Sequence, residues 1–251
     1  MNRSARTAGG LRVIRDDPGP AAWNMAVDEA LLSHAEVPTL RLYGWTPHAV
    51  SLGWFQRAAD FADLPPGTPI VRRLTGGGAI HHGDEITFAL CVDAELLPRE
   101  VDASYHLLHD AAIAALREHG IASERLTGGD LPTARPTEKW CFRTPGRDDV
   151  VTPAGKLLGS AQRRIAKPRA RVLHHGSLVL QRPTLTPFVA AVADTATDPS
   201  TAARVREALI ANFAQALGLP MHAGTLTATE HAAAERLRRE RYEDPGFLRA
   251  R

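Results

Sequence analysis

The alternation of side chains over residues 85–92 constrains the fold of this chain more than any other feature. In an extended backbone, successive side chains point to opposite faces. In "EITFALCV", one face would carry Ile86, Phe88, Leu90 and Val92, and the other Thr87, Ala89 and Cys91. This pattern predicts a β-strand.

Further segments share this alternation of apolar and polar residues and predict more strands. Residues 39–45 and 49–55, on either side of Pro47, are predicted to form a pair of strands. The other strand candidates are residues 69–74, 148–152, 156–164 and 170–180.

Helical periodicity marks other parts of the chain. Residues 23–35 and 103–119 carry apolar side chains at helical spacing, and Gly120 after the second segment is a typical helix C-cap. From about residue 187 onward the chain is rich in alanine, and residues 187–194, 201–218 and 228–242 have a helical period. Strands and helices in this irregular order predict an α+β fold, a mixed or antiparallel central β-sheet flanked by helices. We expect one domain over residues 11–251 with a helical C-terminal part, after a flexible tail over residues 1–10.

Composition favours a soluble globular protein. Hydrophobic residues make up 44% and charged residues 23% of the 251 residues, and no apolar run approaches the roughly 20 residues of a membrane helix. The N-terminus lacks the apolar segment of a secretory signal, so a cytoplasmic protein is expected, without a membrane partner. The formal charge of +2 does not indicate nucleic-acid binding, although the stretch "RRIAKPRARVLHH" (163–175) predicts a local basic patch. The two cysteines have no spacing typical of a metal site or a disulfide framework.

The stretch "RRLTGGGAIHH" (72–82) is the first candidate for a binding site. Glycines at 76–78 would let a ligand approach the backbone amides, but they match no nucleotide-binding motif, and a simple hairpin turn is an equally valid interpretation. Arg72 and Arg73 would point to opposite faces of a strand, so one of them would face the glycines. The same argument applies to His81 and His82, and to the second pair, His174 and His175.

Cys141 is the candidate nucleophile. It lies in a polar loop flanked by Lys139, Arg143 and Arg147, and positive charge favours the reactive thiolate form. Cys91, in contrast, lies in an apolar strand where burial favours the neutral thiol. An incidental role for Cys141 remains open at this level, as does a simple surface role for Lys156.

Several motifs together resemble the lipoate/biotin protein ligase superfamily. They are "GPAAWNMAVDEALL", "PTLRLYGWTPHAVSLGWFQ", "VRRLTGGGAIHHGDEITFAL", "CF" and "GKLLGSAQRR", followed by "HHGSL", and they span about residues 17–182. Within the superfamily, "SLGWFQ", "DEITF" and a cysteine fifteen residues before "KLLGSAQ" are most similar to the cysteine-dependent octanoyltransferases. The resemblance implies a catalytic domain of the class II aminoacyl-tRNA synthetase and biotin synthetase type.

The resemblance also implies a role for individual residues. The acyl nucleophile of the family falls on Cys141 and its site lysine on Lys156. The expected pocket residues are Arg72, Arg73, Thr75, Gly76, Gly77, Gly78, His82, Gly159, Ser160, Ala161, His175 and Gly176. His81 would then face away. The implied reaction moves an octanoyl or lipoyl group from acyl carrier protein to a lysine of a lipoyl domain, in the glycine cleavage H protein or a 2-oxoacid dehydrogenase E2 subunit, without a cofactor or metal.

Two positions depart from this pattern and leave alternatives open. Gly78 stands where this transferase type commonly has arginine, and "GGGA" is typical of the ATP-dependent lipoate ligases. Gly83 replaces an aspartate that usually follows the histidine. A ligase would need ATP and Mg²⁺, and usually a small additional domain or a separate accessory subunit. A third alternative is a homologue that binds carrier protein without catalysis.

Overall fold

The computed structural model describes residues 9–128 and 138–250. The strands in these residues are β1 (Leu11–Arg15), β2 (Thr39–Tyr43), β3 (Ala49–Leu52), β4 (Ile70–Arg72), β5 (Ile80–His82), β6 (Glu85–Asp93), β7 (Glu124–Arg125), β8 (Val150–Thr152), β9 (Gly155–Ile165), β10 (Arg171–Val179) and β11 (Met221–Ala223). Eight of them form a large mixed sheet in the order β11-β1-β2-β6-β10-β9-β8-β7, and three form a small sheet in the order β4-β3-β5. The helices are α1 (Ala21–His34), α2 (Val101–Arg117), α3 (Thr201–Leu217), α4 (Ala228–Leu237) with a π-helical turn at Arg238–Tyr242, and α5 (Pro245–Leu248).

Strand β6 lies at the centre of the large sheet, as its alternation indicates. It pairs antiparallel with β2 on one side and β10 on the other, and all its residues are buried. Ile86, Phe88, Leu90 and Val92 pack in one hydrophobic cluster with α2 and α3. Ala89 and Cys91 pack in a second cluster with α1 and α4. Helices therefore cover both faces of the sheet, and the predicted α+β fold with a flanked central sheet is confirmed.

Both segments around Pro47 form strands, as predicted, but the two strands do not pair with each other. Strand β2 belongs to the large sheet, whereas β3 pairs with β4 and β5 in the small sheet. Local alternation reports only that a strand forms, because its hydrogen-bond partner depends on distant parts of the chain. The small sheet carries the segments on both sides of the glycine triplet and holds them next to the large sheet.

The C-terminal region departs from the prediction of helix from residue 187. Helix over 187–194 is limited to one 3₁₀ turn at Val192–Asp194, and the next helix begins at Thr201. The amide of Ala190 donates to the carbonyl of Lys156 at 3.0 Å, and Val189 and Ala191 pack against Phe142. Tertiary contacts thus outweigh the helical propensity of alanine here. The short strand β11, which pairs parallel with β1, was also not predicted.

The predicted tail over residues 1–10 falls mostly on residues 1–8, which lie outside the described residues. Among the described residues, no helix combines the length and apolar character that a membrane crossing requires.

A buried ion pair links helix α4 to strand β1 of the large sheet. Arg12 of β1 donates to both carboxylate oxygens of Glu230 at 2.5 and 3.0 Å, with side-chain exposures of 9% and 2%. Arg15 of the same strand makes a similar bidentate pair with Glu207 of α3, but those side chains are 41% and 56% exposed.

These two pairs differ mainly in burial, which leads to a prediction about stability. Glu230→Ala should lower the free energy of unfolding by about 3–5 kcal/mol, because it leaves the Arg12 charge buried without its partner. Glu207→Ala, the control, should cost less than about 1 kcal/mol, since water replaces the lost partner of Arg15. Urea unfolding followed by circular dichroism measures both; equal losses would contradict the expected effect of burial.

Candidate active site

A cavity of about 320 Å³ lies between the large sheet, the small sheet and the loop of Cys141. The predicted site residues that line it are Arg73, Gly76, Gly77, His82, Cys141, Gly159, Ser160, Ala161, His175 and Gly176. These residues are far apart in the sequence, and the fold brings them to one place. Side chains that sequence reasoning missed complete the lining: Met25, Tyr43, Trp45, Ser51, Ile80, Thr87, Tyr105, Gln162 and Ser177.

Cys141 and Lys156 are in contact at the edge of this cavity. Lys156 Nζ lies 3.4 Å from Cys141 Sγ and donates to the Cys141 carbonyl at 3.4 Å. The lysine side chain is 3% exposed, so its charge is held away from water. A thiol beside a fixed ammonium is the arrangement that favours a thiolate nucleophile.

Asp149 is the third member of this cluster and was not predicted. Its Oδ2 lies 2.8 Å from Lys156 Nζ and accepts a hydrogen bond from the Gly146 amide at 2.6 Å. Burial alone would lower the pKa of Lys156, but the Cys141 thiolate and the Asp149 carboxylate together raise it above its ordinary value. The lysine thus lies buried between the Cys141 sulfur and the Asp149 carboxylate. The only sequence signal for Asp149 was its place in "RDDVV", seven residues before the lysine.

Gly159 makes room for the lysine. A Cβ at this position would lie 2.4 Å from Lys156 Cε and 2.6 Å from Nζ, distances that real atoms do not tolerate. Both residues belong to β9. Because Gly159 has no side chain, the end of the Lys156 side chain can occupy this space and reach Cys141.

The positive charges predicted to activate Cys141 have other partners. Lys139 Nζ lies 3.1 Å from Asp63, and Arg143 Nε lies 3.3 Å from Glu138. Arg147 lines a separate cavity beside Cys141. The cation in contact with the sulfur is Lys156, which lies on β9.

Arg73 is the arginine of the pair that faces the cavity. Its Nη2 donates to the carbonyls of Gly76 and Gly78 at 2.7 Å each, and its Nη1 donates to the Ser51 carbonyl at 3.1 Å. Burial lowers the pKa of Arg73, while the Cys141 thiolate acts in the opposite direction. Arg73 therefore fixes the shape of the glycine loop and adds positive charge near the sulfur.

Three predicted pocket residues, Arg72, Thr75 and Gly78, do not line this cavity. Arg72 points to the opposite face of β4 and donates to the carbonyls of Gly53, Trp54, Gln56 and Leu248. This orientation follows from strand alternation, which allows one of two consecutive arginines to face the site. Thr75 is buried behind the cavity, where its Oγ1 and His175 Nε2 form a 2.8 Å hydrogen bond.

Gly78 also lies behind the cavity wall. A Cβ at this position would lie 2.8 Å from the amide nitrogen of Cys141 and 3.1 Å from the Lys139 carbonyl oxygen. The amide of Ala79 donates to Lys139 and the amide of Cys141 donates to Ala79, at 2.7 and 2.9 Å. Of the three glycines, Gly77 has a positive φ, +93°. Gly76 and Gly77 thus line the cavity, and Gly78 packs on the cysteine loop.

The inward-facing histidines are held by buried carboxylates that were not predicted. His82 Nδ1 lies 2.8 Å from Glu85 Oε1, and its ring stacks on Trp45 with centroids 3.7 Å apart. His175 Nδ1 lies 3.2 Å from Asp28 Oδ2. Burial would raise the pKa of Glu85, but His82 and hydrogen bonds from nearby hydroxyls lower it. These hydrogen bonds fix the orientation of the two histidine rings that line the cavity.

The other histidine of each pair faces away, as alternation predicts. His81 lines a separate small cavity, and burial together with His82 and His48 lowers its pKa to about 4. His174 is fully buried on the far side of the sheet, stacked near Phe88, and burial lowers its pKa well below the ordinary value. Cys91 is also fully buried, and burial raises the pKa of its thiol, as expected from its place in an apolar strand.

A second cavity of about 400 Å³ opens on the other side of Cys141. Cys141, Tyr105 and Ser160 line both cavities. Gly78, Asp149 and Lys156 line only the second one. Cys141 therefore lies between the two cavities.

The predicted basic patch of residues 163–171 is smaller than expected. Arg171 is 3% exposed and donates to main-chain carbonyls of α1 and its C-terminal end, and Arg169 pairs with Asp93. Arg164 donates to the carbonyls of Pro98 and Arg99. Arg163 and Lys167 remain exposed. Most of these cations hold the chain together, and the patch is reduced to two residues.

Comparison with known proteins shows which proteins this chain is similar to. The family model for the lipoyl protein ligase A/B catalytic domain matches residues 20–230. An octanoyltransferase LipM of Kyrpidia tusciae is 37% identical, covering 90% of this chain and 94% of the relative. The octanoyltransferase LipM of Symbiobacterium thermophilum is 34% identical, with coverages of 90% and 92%.

Solved structures show the same fold at lower sequence identity. A lipoate-protein ligase A bound with ATP superposes with a TM-score of 0.75 at 23% identity, covering 95% of this chain and 98% of that one. A bi-partite lipoate protein ligase from Thermoplasma acidophilum gives 0.74 at 22% identity, with coverages of 95% and 96%. The predicted class II synthetase-like fold of this superfamily is therefore confirmed.

The chain belongs to the lipoyl protein ligase A/B catalytic domain family. Its similarity to octanoyltransferases over most of its length further identifies it as an acyltransferase.

The contact between Gly159 and Lys156 can be tested directly. Gly159→Ala should push the lysine away from Cys141 and slow alkylation of this thiol by iodoacetamide at neutral pH by about tenfold, because the thiolate loses its neighbouring cation. Mass spectrometry of the Cys141 peptide measures the rate. Gly83→Ala is the control, since its Cβ would meet only ordinary contacts at 3.6 Å or more. Equal alkylation rates in the two variants would show that Gly159 does not position the lysine.

Proposed function

We propose that this protein transfers an octanoyl group from acyl carrier protein to a lysine of a lipoyl domain through an acyl-enzyme on Cys141. The observation that carries the proposal is the contact between Cys141 Sγ and the buried Lys156 ammonium, 3.4 Å apart, at the edge of the 320 Å³ cavity. A nucleophile, an adjacent cation and an acyl-sized cavity are the parts that thioester exchange requires. The octanoyltransferase relatives support the choice of the octanoyl group.

In the first half-reaction, the Cys141 thiolate attacks the octanoyl thioester on the phosphopantetheine arm of the carrier protein. The new C–S bond forms as the old one breaks, and the carrier leaves as a thiolate that takes up a proton. One thioester replaces another, so the step is nearly isoenergetic and needs no ATP. The Lys156 ammonium stabilises the negative charge that develops on the carbonyl oxygen.

The inner cavity suits an eight-carbon chain. Met25, Tyr43, Trp45 and Ile80 give it an apolar wall, and small residues such as Gly77 and Ala161 leave space. Burial of the chain contributes about 0.8 kcal/mol per methylene, or several kcal/mol in total. The polar groups, including Arg73 backed by the glycine carbonyls, lie around the same space and suit the carbonyl end.

In the second half-reaction, the amine of the acceptor lysine attacks the acyl-enzyme. The C–N bond forms as the C–S bond breaks, Cys141 leaves as a thiolate, and the proton of the amine passes to that thiolate or to water. An amide is more stable than a thioester, so this step is downhill. The acceptor is a lipoyl domain, of the glycine cleavage H protein or of an E2 subunit. The structural neighbour from Thermoplasma acidophilum, which was studied with its E2 lipoyl domain, supports this choice.

Packing accounts for Gly78, the position that resembles the ATP-dependent ligases. A Cβ at this position would lie 2.8 Å from the amide nitrogen of Cys141, so glycine lets the cysteine loop pack this closely. Gly78 left the ATP-dependent ligases as an alternative in the sequence, but this packing role is equally compatible with a cysteine-dependent transferase. The cluster of Cys141, Lys156 and Asp149 likewise favours a catalytic protein over a non-catalytic carrier-binding homologue.

Intact mass spectrometry tests the proposal. The protein mixed with octanoyl-acyl carrier protein, without ATP or an acceptor, should gain one octanoyl group at Cys141. Cys141→Ser should lose transfer to a lipoyl domain by a factor of about 10³ or more, because the nucleophile is replaced by a far weaker one.

Cys91→Ala is the matched control and should still be acylated, since Cys91 is fully buried and away from the cavity. Acylation that requires ATP, or transfer that survives the loss of Cys141, would contradict the acyl-enzyme route.

A further inference from the structure

The environment of Lys156 changes when Cys141 is acylated. In the free enzyme its ammonium lies between the Cys141 sulfur at 3.4 Å and Asp149 Oδ2 at 2.8 Å. The proposed acyl-enzyme converts the sulfur into a neutral thioester. The sulfur can then carry no negative charge, and an electrophilic carbonyl carbon is attached to the atom that the lysine contacts.

We propose that Asp149 protects the acyl-enzyme by keeping Lys156 protonated, so that the lysine cannot capture the octanoyl group itself. This inference rests on the proposed function, because it requires a thioester on Cys141. It makes Asp149 a positioning and charge-holding residue that acts through Lys156.

The reaction that Asp149 prevents is an intramolecular transfer from sulfur to nitrogen. A neutral Lys156 amine would attack the carbonyl carbon of the thioester, forming a C–N bond while the C–S bond breaks. Cys141 would leave as a thiolate, and the proton of the amine would pass to that thiolate or to water. The product, octanoyl-Lys156, is an amide, so the transfer is downhill and would inactivate the enzyme. A protonated lysine has no lone pair and cannot begin this reaction.

The surroundings of Lys156 leave this task to Asp149. The Phe142 ring lies 4.5 Å from Nζ and carries no net charge. Tyr105 is neutral because burial raises its pKa to about 12, and burial lowers the pKa of His109, which favours the neutral ring. Arg73 adds positive charge near Cys141. Among the described residues, Asp149 is the anion within ion-pair distance of Nζ.

Burial makes the loss of this carboxylate consequential. A lysine that is 3% exposed tends towards its neutral form, and both the thiolate and Asp149 oppose that tendency. After acylation the thiolate no longer contributes. Asp149 is itself held in place, because its Oδ2 also accepts from the Gly146 amide at 2.6 Å.

Asp149→Asn tests the proposal because the amide oxygen can keep the hydrogen bonds while the charge is lost. Each variant is incubated with octanoyl-acyl carrier protein without an acceptor and then treated with neutral hydroxylamine, which cleaves thioesters and leaves amides. Intact mass and peptide mapping locate what remains. The wild-type octanoyl group should be removed. Asp149→Asn should retain hydroxylamine-resistant octanoyl on Lys156, raised at least about tenfold over wild type, since the neutral fraction of a lysine rises tenfold per unit of lowered pKa.

Three further proteins make the result specific. Asp149→Glu restores the charge and should return the resistant adduct to near the wild-type level, which also guards against a simple folding defect. The double variant Asp149→Asn, Lys156→Arg should retain no resistant adduct, because the acceptor amine is gone. Asp63→Asn removes a carboxylate that pairs with Lys139 at the surface and should behave as wild type.

The failure of this inference can be told apart from that of the proposed function. If wild type forms no octanoyl thioester on Cys141, the acyl-enzyme route is wrong. If wild type forms it, and the thioester of Asp149→Asn stays fully hydroxylamine-sensitive, the route stands and the protective role of Asp149 is overturned.

Discussion

Two backbone hydrogen bonds hold the nucleophile in this protein. The amide of Ala79 donates to the carbonyl of Lys139, and the amide of Cys141 donates to the carbonyl of Ala79. They join the cysteine loop to the end of the glycine loop, which Arg73 shapes from behind. The same junction places the thiol beside Lys156, which in turn pairs with Asp149. The inner cavity, whose wall includes Cys141, depends on the same contact.

Charge is concentrated at this junction, and it is balanced locally. Arg73 is surrounded by carbonyl oxygens, Lys156 by a carboxylate and a sulfur, and His82 and His175 each by a buried acid. Buried charges are tolerated only when they have partners. The consequence is a site with few alternative arrangements, in which a cation is available to an acyl carbonyl without rearrangement of the protein.

The sequence predicted most elements that frame the site, and several residues within it. Strand β6 and both of its faces followed from alternation, and Cys141, Lys156 and the glycine loop followed from residue chemistry together with family resemblance. Asp149 could not be found in this way, because an aspartate in a polar loop has no pattern that reveals its partner. Arg72 was assigned to the pocket although alternation allowed only one arginine there. Residues 187–194 were predicted helical because alanine content does not show that Ala190 bonds to the Lys156 carbonyl.

The short distance between Gly78 and the loop of Cys141 couples two distant parts of the sequence. An added Cβ would lie 2.8 Å from the amide nitrogen of Cys141, so a larger residue at position 78 would require the cysteine loop to move away from the glycine loop. The residue at this position therefore limits how closely the nucleophile can pack against the glycine loop.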